Sequence, residues 1–285
     1  MTSDDATASG DNGSAESAGL PFDVSVAHQA RMYDYVLGGK DNYAADRAAI
    51  EAGITVWPNL VFAARANRAF LGRSIRFLAG EAGIRQFLDI GTGIPTAGNT
   101  HQVVQEVAPQ SLVVYVDYDP VVLAHARALL DSSESGATEY IHADLRDTET
   151  ILAQARRLLD FTKPVAVTLL AILHVIPESD DPHAIVATLM DAVPPGSYLA
   201  ISHSASDLFD EETKDRFRNV MDRMIQQEYT PRDRAQVARF FTGLDLVEPG
   251  LVPVEEWRPA PGTDNQGTPG TPGASAMWGA VARKR

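Results

Sequence analysis

The sequence predicts an α/β protein with a doubly wound, mostly parallel sheet, an antiparallel last strand and a helical segment ahead of the sheet. Three observations predict it. Short apolar runs ending near a polar or acidic residue recur from residue 86 onward. Helix-length stretches separate them. Two of the runs, QFLDIGTG at 86–93 and VVYVDYDP at 113–120, end in an acid at a turn. Such alternation argues for parallel strands joined by crossover helices on both faces.

The elements follow in order. Residues 2–19 contain only Ser, Asp, Ala, Gly, Thr, Asn and Glu, and they predict a disordered tail over 1–20. Residues 21–80 read as helical, clearest in AHQARMYDYVLGG and FAARANRAFLGRSIRFLAG, with Gly38, Gly39 and Gly80 as stops. They predict a cap ahead of a domain spanning 81–285. Strands are expected at 86–90, 112–117, 139–143, 165–173 and 197–202, and helices at 96–108, 120–131, 148–160 and 182–193. Pro120 suits the first turn of its helix. A helical segment follows over 206–235. Its first helix, 207–228, carries an apolar stripe of Phe209, Phe217, Val220, Met221, Met224 and Ile225, read as packing rather than a ligand site. Thr230-Pro231 opens the next helix. LDLVEPGLVPV is a sixth strand, and 259–274, with four Pro and four Gly, is a loop. AMWGAVARK closes as a strand expected to insert antiparallel at the sheet's edge.

Composition narrows the function classes. The chain has 285 residues, 45% of them hydrophobic, enough for a full core. With 24 basic and 38 acidic residues its formal charge is −14, which disfavours nucleic acid and anionic membranes as partners. There is no cysteine, so disulfides and thiolate metal sites are excluded, and no metal site is expected from His/Asp spacing. The longest apolar stretch, Val165–Leu173, is too short to span a bilayer, and the N-terminus shows no signal pattern. A cytoplasmic location is expected.

The chemistry concentrates at 86–120. Asp89 ends the first strand, and the Gly91–Thr92–Gly93 turn follows, where glycines let the backbone approach a ligand. Asp117 ends the second strand, 26 residues after Gly91, placed to accept from ribose hydroxyls. A nicotinamide site prefers a small residue where Thr96 stands, and no phosphate loop is present. An acid before the first glycine repels a pyrophosphate and suits a cation. The pattern therefore favours S-adenosylmethionine, whose sulfonium and ammonium are positive, over a nicotinamide cofactor; a plain strand–turn–helix is the bland alternative.

ARMYDYVLGGKDNYAADR, RANRAFLGRSIRFLA, QFLDIGTGIPTAGN, VVYVDYDPVVLAHARALL and YIHADLRD closely resemble the bacterial S-adenosyl methyltransferase family, a largely uncharacterised group of Rossmann-like class I methyltransferases. The resemblance runs from about Ser25 to the C-terminus. It implies that Asp89, Gly91 and Gly93 cradle the methionine part of the cofactor. It further implies that Asp117 holds the ribose, Tyr118 lies beside the adenine, Asp144 accepts from the adenine amino group and Leu145 lines the ring. Pro95 stands where class I enzymes often have a third glycine, a position compatible with helix N1.

Methyl transfer from a sulfonium needs position, dryness and at most a base. His174 and His203 follow the fourth and fifth strands and are the candidate bases, against the bland reading that each orders a loop. Asp180 and Asp181 are read as caps of the helix from Pro182. In the cap, Tyr33, Asn42 and Tyr43 belong to a polar and aromatic cluster around Gly38-Gly39, expected to face the cleft. Arg65, with Arg68 three residues on, either holds a carboxylate or lies on a solvated face. The expected function is S-adenosylmethionine-dependent methylation of a small-molecule acceptor. The alternative is a non-catalytic binder of S-adenosylmethionine or S-adenosylhomocysteine with a regulatory role. The sequence leaves the acceptor and the oligomeric state open.

Overall fold

The computed structural model describes residues 23–96, 98–129, 136–225, 228–259 and 274–285. The tail expected over 1–20, and nearly all of the Pro/Gly loop expected over 259–274, lie outside the described residues.

Three helices precede the sheet: α1 (Gln29–Val36), α2 (Ala44–Val56) and α3 (Leu60–Gly80). The parallel strands β1 (Gln86–Ile90), β2 (Leu112–Asp117), β3 (Ala137–His142), β4 (Ala166–Leu170) and β5 (Tyr198–Ser204) alternate with α4 (Thr100–Val107), α5 (Pro120–Leu129), α6 (Thr148–Ala155) and α7 (Pro182–Asp191). Then come α8 (Glu211–Ile225), α9 (Arg234–Ala238), β6 (Leu244–Leu246), β7 (Val252–Pro253) and β8 (Met277–Lys284). The sheet order is β3-β2-β1-β4-β5-β8-β6, with β7 also pairing β8. β8 runs antiparallel, as expected of the last strand, but lies between β5 and β6, so β6 and not β8 ends the ladder.

The period-two pleat of β1 sorts its side chains. Leu88 and Ile90 enter a core with Ile151, Ile185 and Leu189 from α6 and α7. Phe87 enters the opposite core with Phe70, Ile75, Val103 and Val104 from α3 and α4. Asp89, two residues on from Phe87, shares that second face. Each fully buried Leu, Ile or Phe contributes about 1.5–3 kcal/mol, so helices on both faces are energetically required. β1 and β2 occupy the expected residues.

Several elements differ from expectation, four of them for a clear local reason. β4 stops at Leu170 because Ala171 turns with φ 55° and 173–175 coil into a 3-10 turn that carries His174 out of the ladder. The helix expected from 96 begins at Thr100, where Asn99 and Gln102 form a capping box, so Pro95 lies in the loop and not at helix N1. The helix expected at 230 begins at Arg234, because Arg232 bridges to Ala205 before Asp233 caps α9. The sixth strand is split into β6 and β7 by the turn at 247–250. No described helix is long and apolar enough to cross a membrane.

Candidate functional site

The strand order reverses between β1 and β4, and a crevice opens there outside the carboxyl ends of the strands. It encloses about 1010 Å³, its mouth included. Asp89, Gly91, Thr92, Gly93, Asp117 and Tyr118 all line it, and Tyr33 joins them from the cap. These are seven of the residues expected at the site.

The turn after β1 is built by two glycines in the left-handed region, Gly91 at φ 76° and Gly93 at φ 66°. They differ in purpose. A Cβ on Gly91 would stand 2.7 Å from the Ile172 side chain, so that glycine serves packing. A Cβ on Gly93 would meet only Ala30, at 4.0 Å, so that glycine keeps the crevice side clear.

Two acids lie below and beside the turn. Asp89 accepts from the Thr100 and Thr168 hydroxyls, each at 2.6 Å. Burial pushes its carboxyl above the ordinary value, and the two hydroxyls hold it back in part. Asp117 accepts from the Gly93 N–H at 2.8 Å through Oδ2 and from the Asp119 N–H at 3.0 Å through Oδ1. Burial raises this carboxyl too, against those backbone bonds. Each Asp117 oxygen keeps a lone pair for a ligand hydroxyl. An adenosine with a sulfonium fits this arrangement: lone pairs for the ribose, a buried carboxylate for the cation, and a turn free of side chains.

The cap meets the crevice through the start of α1 rather than through the Gly38–Tyr43 loop. His28, Gln29, Ala30 and Tyr33 line it, with Asn67, Arg68 and Leu71 from α3. His28 Nδ1 lies 2.8 Å from Asp119 Oδ2, and its ring meets Tyr118 edge to face at 5.0 Å. Burial alone would raise the Asp119 carboxyl, but His28, the Val121 N–H and Arg31 outweigh it and leave it lowered. His28 Nε2 and Gln29 Oε1 are buried with no partner among the described residues. Arg68 donates to Asn99 Oδ1 at 2.8 Å. The motif reading missed His28, Gln29 and Tyr140, whose hydroxyl bonds Thr92 Oγ1 at 2.9 Å. A histidine just ahead of a helix start was the available signal.

The Gly38–Tyr43 loop is satisfied internally, which corrects the expectation that it faces the cleft. Asp34 accepts from the Asp41 N–H and from Asn42 Nδ2, at 2.9 and 2.8 Å. Gly39 lies against that carboxylate so closely that a Cβ would overlap it. Tyr43 is the N-cap of α2, its ring under the Arg31 guanidinium at 5.5 Å. Arg65 is exposed while Arg68 turns inward, so the two do not act together. Asp144 does not line the crevice; it accepts from the Arg146 N–H at 2.9 Å and lies 3.6 Å from the Arg146 guanidinium. Leu145 is buried in the α6–α7 core, with Leu88 and Ile141, and does not line the crevice. Asp181 caps α7 through the Ala184 N–H, as expected.

The two histidines also differ from expectation. His203 is wholly buried between the Ser204 carbonyl and Arg232 Nη1, at 2.8 and 2.9 Å, and lines neither cavity. Burial, with His174 and Arg232 nearby, holds it far below the ordinary imidazole value. His174 reaches a cavity, but burial and the Arg232 charge push its value down to about 3. A group so reluctant to take a proton is a poor general base. That cavity is a second chamber of about 700 Å³, its mouth included, between α1, α2, α3 and α8. Gln29, Tyr33 and Ala171 line both spaces. Phe217, Met221 and Ile225 show that the α8 stripe does more than pack: it walls this chamber.

A family model described as S-adenosyl methyltransferase matches residues 15–285. The crystal structure of a DUF574 family protein from Streptomyces avermitilis MA-4680 is 44% identical, with TM-score 0.87, covering 92% of this chain and 99% of that one. A candidate methyltransferase from Thermobifida fusca YX is 39% identical, with TM-score 0.84, covering 94% and 98%. TnmH, at 17% identity and TM-score 0.50 over 80% of this chain and 57% of its own, shares the fold. No curated protein matches the sequence. The chain belongs to the S-adenosyl methyltransferase family, with the Rossmann-like fold of class I enzymes and S-adenosylmethionine as its cofactor.

Proposed function

We propose that the protein transfers the methyl group of S-adenosylmethionine to a small-molecule acceptor held beneath a cap formed by residues 21–80. The junction of the two cavities carries this reading, because Gln29, Tyr33 and Ala171 wall both. When bound, the cofactor supplies a methyl group already activated on sulfur. Asp117 and Tyr118 are assigned to the ribose and adenine, Asp89 to the positive end, and the Gly91–Gly93 turn to close backbone approach. The start of α1 excludes water and aligns the acceptor.

A second reading, a non-catalytic binding protein, is favoured by one observation. Among the described lining residues of the second chamber, His174 is the only one whose ordinary value lies near neutrality, and it is held unprotonated. The test is calorimetric titration with S-adenosylmethionine and S-adenosylhomocysteine, then mass-spectrometric detection of S-adenosylhomocysteine formed with a panel of neutral phenols and amines. Binding with turnover supports the proposal. Binding without turnover across the panel favours the second reading. Failure to bind either ligand overturns both.

A further inference from the structure

The chamber beside the crevice has an unusual lining. Its walls are Met32, Val36, Ile50, Trp57, Phe217, Met221 and other apolar groups, and among the described residues no Asp, Glu, Lys or Arg lines it. A charged guest would lose its hydration there with no counter-charge in return, which costs several kcal/mol even after relaxation. The chamber therefore selects a neutral, mainly apolar molecule.

The polar groups at its crevice end are mostly occupied. Tyr33 Oη donates to the Ala64 carbonyl at 2.9 Å and accepts from Asn67 Nδ2 at 3.0 Å. Tyr229 Oη donates to Ser204 Oγ at 2.5 Å. Gln29 is different. Its Nε2 lies 2.9 Å from the Ala171 carbonyl and 2.8 Å from His174 Nε2. A carbonyl only accepts, so this atom is the amide nitrogen, and its two hydrogens go to Ala171 and to the His174 lone pair. The imidazole proton then sits on Nδ1. The Ser204 N–H approaches Nδ1 at 3.4 Å, and the shorter contact decides the tautomer. Gln29 Oε1 is left buried and unpartnered among the described residues, on a side chain that lines both cavities.

We propose that this chamber binds a neutral, largely apolar acceptor that donates one O–H or N–H to Gln29 Oε1, with His174 as the positioning residue that fixes the amide. The inference rests on the adjoining crevice being the cofactor site. The unpartnered atom is an acceptor, so the guest must bring a hydrogen, and that places its hydroxyl or amine beside the crevice. The methyl group replaces that hydrogen: the new bond forms to the guest's O or N, the sulfur keeps the electron pair of the broken S–CH₃ bond, and the proton leaves to solvent. Filling the unmet hydrogen bond removes a desolvation cost, so a guest lacking the hydrogen binds about tenfold more weakly.

The experiment uses N-phenyl-1-naphthylamine, a neutral apolar dye with one N–H whose fluorescence rises in apolar surroundings. It is titrated into the full chain saturated with S-adenosylhomocysteine, whose own binding is followed by calorimetry. The expected result is saturable one-to-one binding, about tenfold weaker for the N-methylated dye and for Gln29→Met, and at least tenfold weaker for Met221→Trp, which fills the chamber. Ala63→Phe, on the α3 wall, replaces Met221→Trp should that variant fail to fold by circular dichroism. No saturable dye binding, or binding unchanged by a folded chamber-filling variant, overturns the chamber. Equal affinity for the two dyes overturns the Gln29 contact. If S-adenosylhomocysteine fails to bind, it is the cofactor reading that fails, and the same dye titration on the free protein still decides the chamber.

Discussion

Asp117 Oδ2 accepts from the Gly93 backbone N–H at 2.8 Å, so the acid ending β2 is tied to the glycine turn that follows β1. One carboxylate thus shapes the turn and also lines the crevice. Asp117→Ala should weaken S-adenosylhomocysteine about ten- to a hundredfold by calorimetry. It should also lower the melting temperature, because the Gly93 and Asp119 N–H groups lose their partner. Full-strength binding by a folded Asp117→Ala protein would remove the ribose assignment.

The two glycines of the turn should separate in their effects. Gly91→Ala drives a Cβ into Ile172 and should destabilise the fold by about 2 kcal/mol or more. Gly93→Val strains a left-handed residue by about 1–2 kcal/mol and puts its bulk into the crevice. Binding of S-adenosylhomocysteine should be lost in a protein that still melts cooperatively. The contrary pattern, with Gly93→Val binding normally, would place the ligand elsewhere.

Asn42 belongs to the turn held by Asp34, so its loss should be felt in stability. Asn42→Ala is expected to cost about 1 kcal/mol in urea unfolding and to leave the affinity for S-adenosylhomocysteine unchanged. Asp34→Ala should cost more, since it strands the Asp41 N–H as well. A large loss of affinity in Asn42→Ala would return the loop to the crevice.

His174 makes stability acid-sensitive. Its folded value is about 3 against an ordinary 6.5, so between these pH values the unfolded chain binds the extra proton. Its contribution is complete above about pH 6.5 and is lost as the pH falls toward 3. Asp89 and Asp117, with raised values, act in the opposite sense just above 3.8. Comparing wild type with His174→Gln cancels them. The variant's stability should fall less steeply with acid, by up to about 1.4 kcal/mol per pH unit. Parallel curves from urea unfolding at pH 4–7 would show that the imidazole is not held neutral.

The strands and their acids were legible because local pattern dictates them. A buried run ending Asp-x-Gly-x-Gly has few ways to fold, and β1 and β2 occupy the expected residues. The cap's contribution was not legible. Asn42 and Tyr43 are polar and close to glycines, but their bonds close on Asp34, the Gly39 carbonyl, Asp46 and Arg47. Gln29 looks ordinary in sequence, and its role exists only because the start of α1 is packed against Ala171 and His174 from a distant strand end. His203 lies near the end of β5, close to the expected position, yet Arg232 fills the space beside it. Leu145 follows the acid expected at the adenine, yet it lies in the turn after β3 and is buried in the other core.

β8 lies between β5 and β6, and its partner β5 ends at Ser204 while β8 begins at Met277. Until that late segment arrives, β5 is an edge strand presenting unpaired backbone along an apolar ladder. The pairing is highly non-local, so contact order makes this a slow part of folding. The interval between β5 and β8 is also the one that supplies α8, which closes the chamber against the cap. Completion of the sheet and formation of the chamber's wall are therefore coupled in assembly, and a nascent chain short of β8 is exposed to self-association through the bare β5 edge.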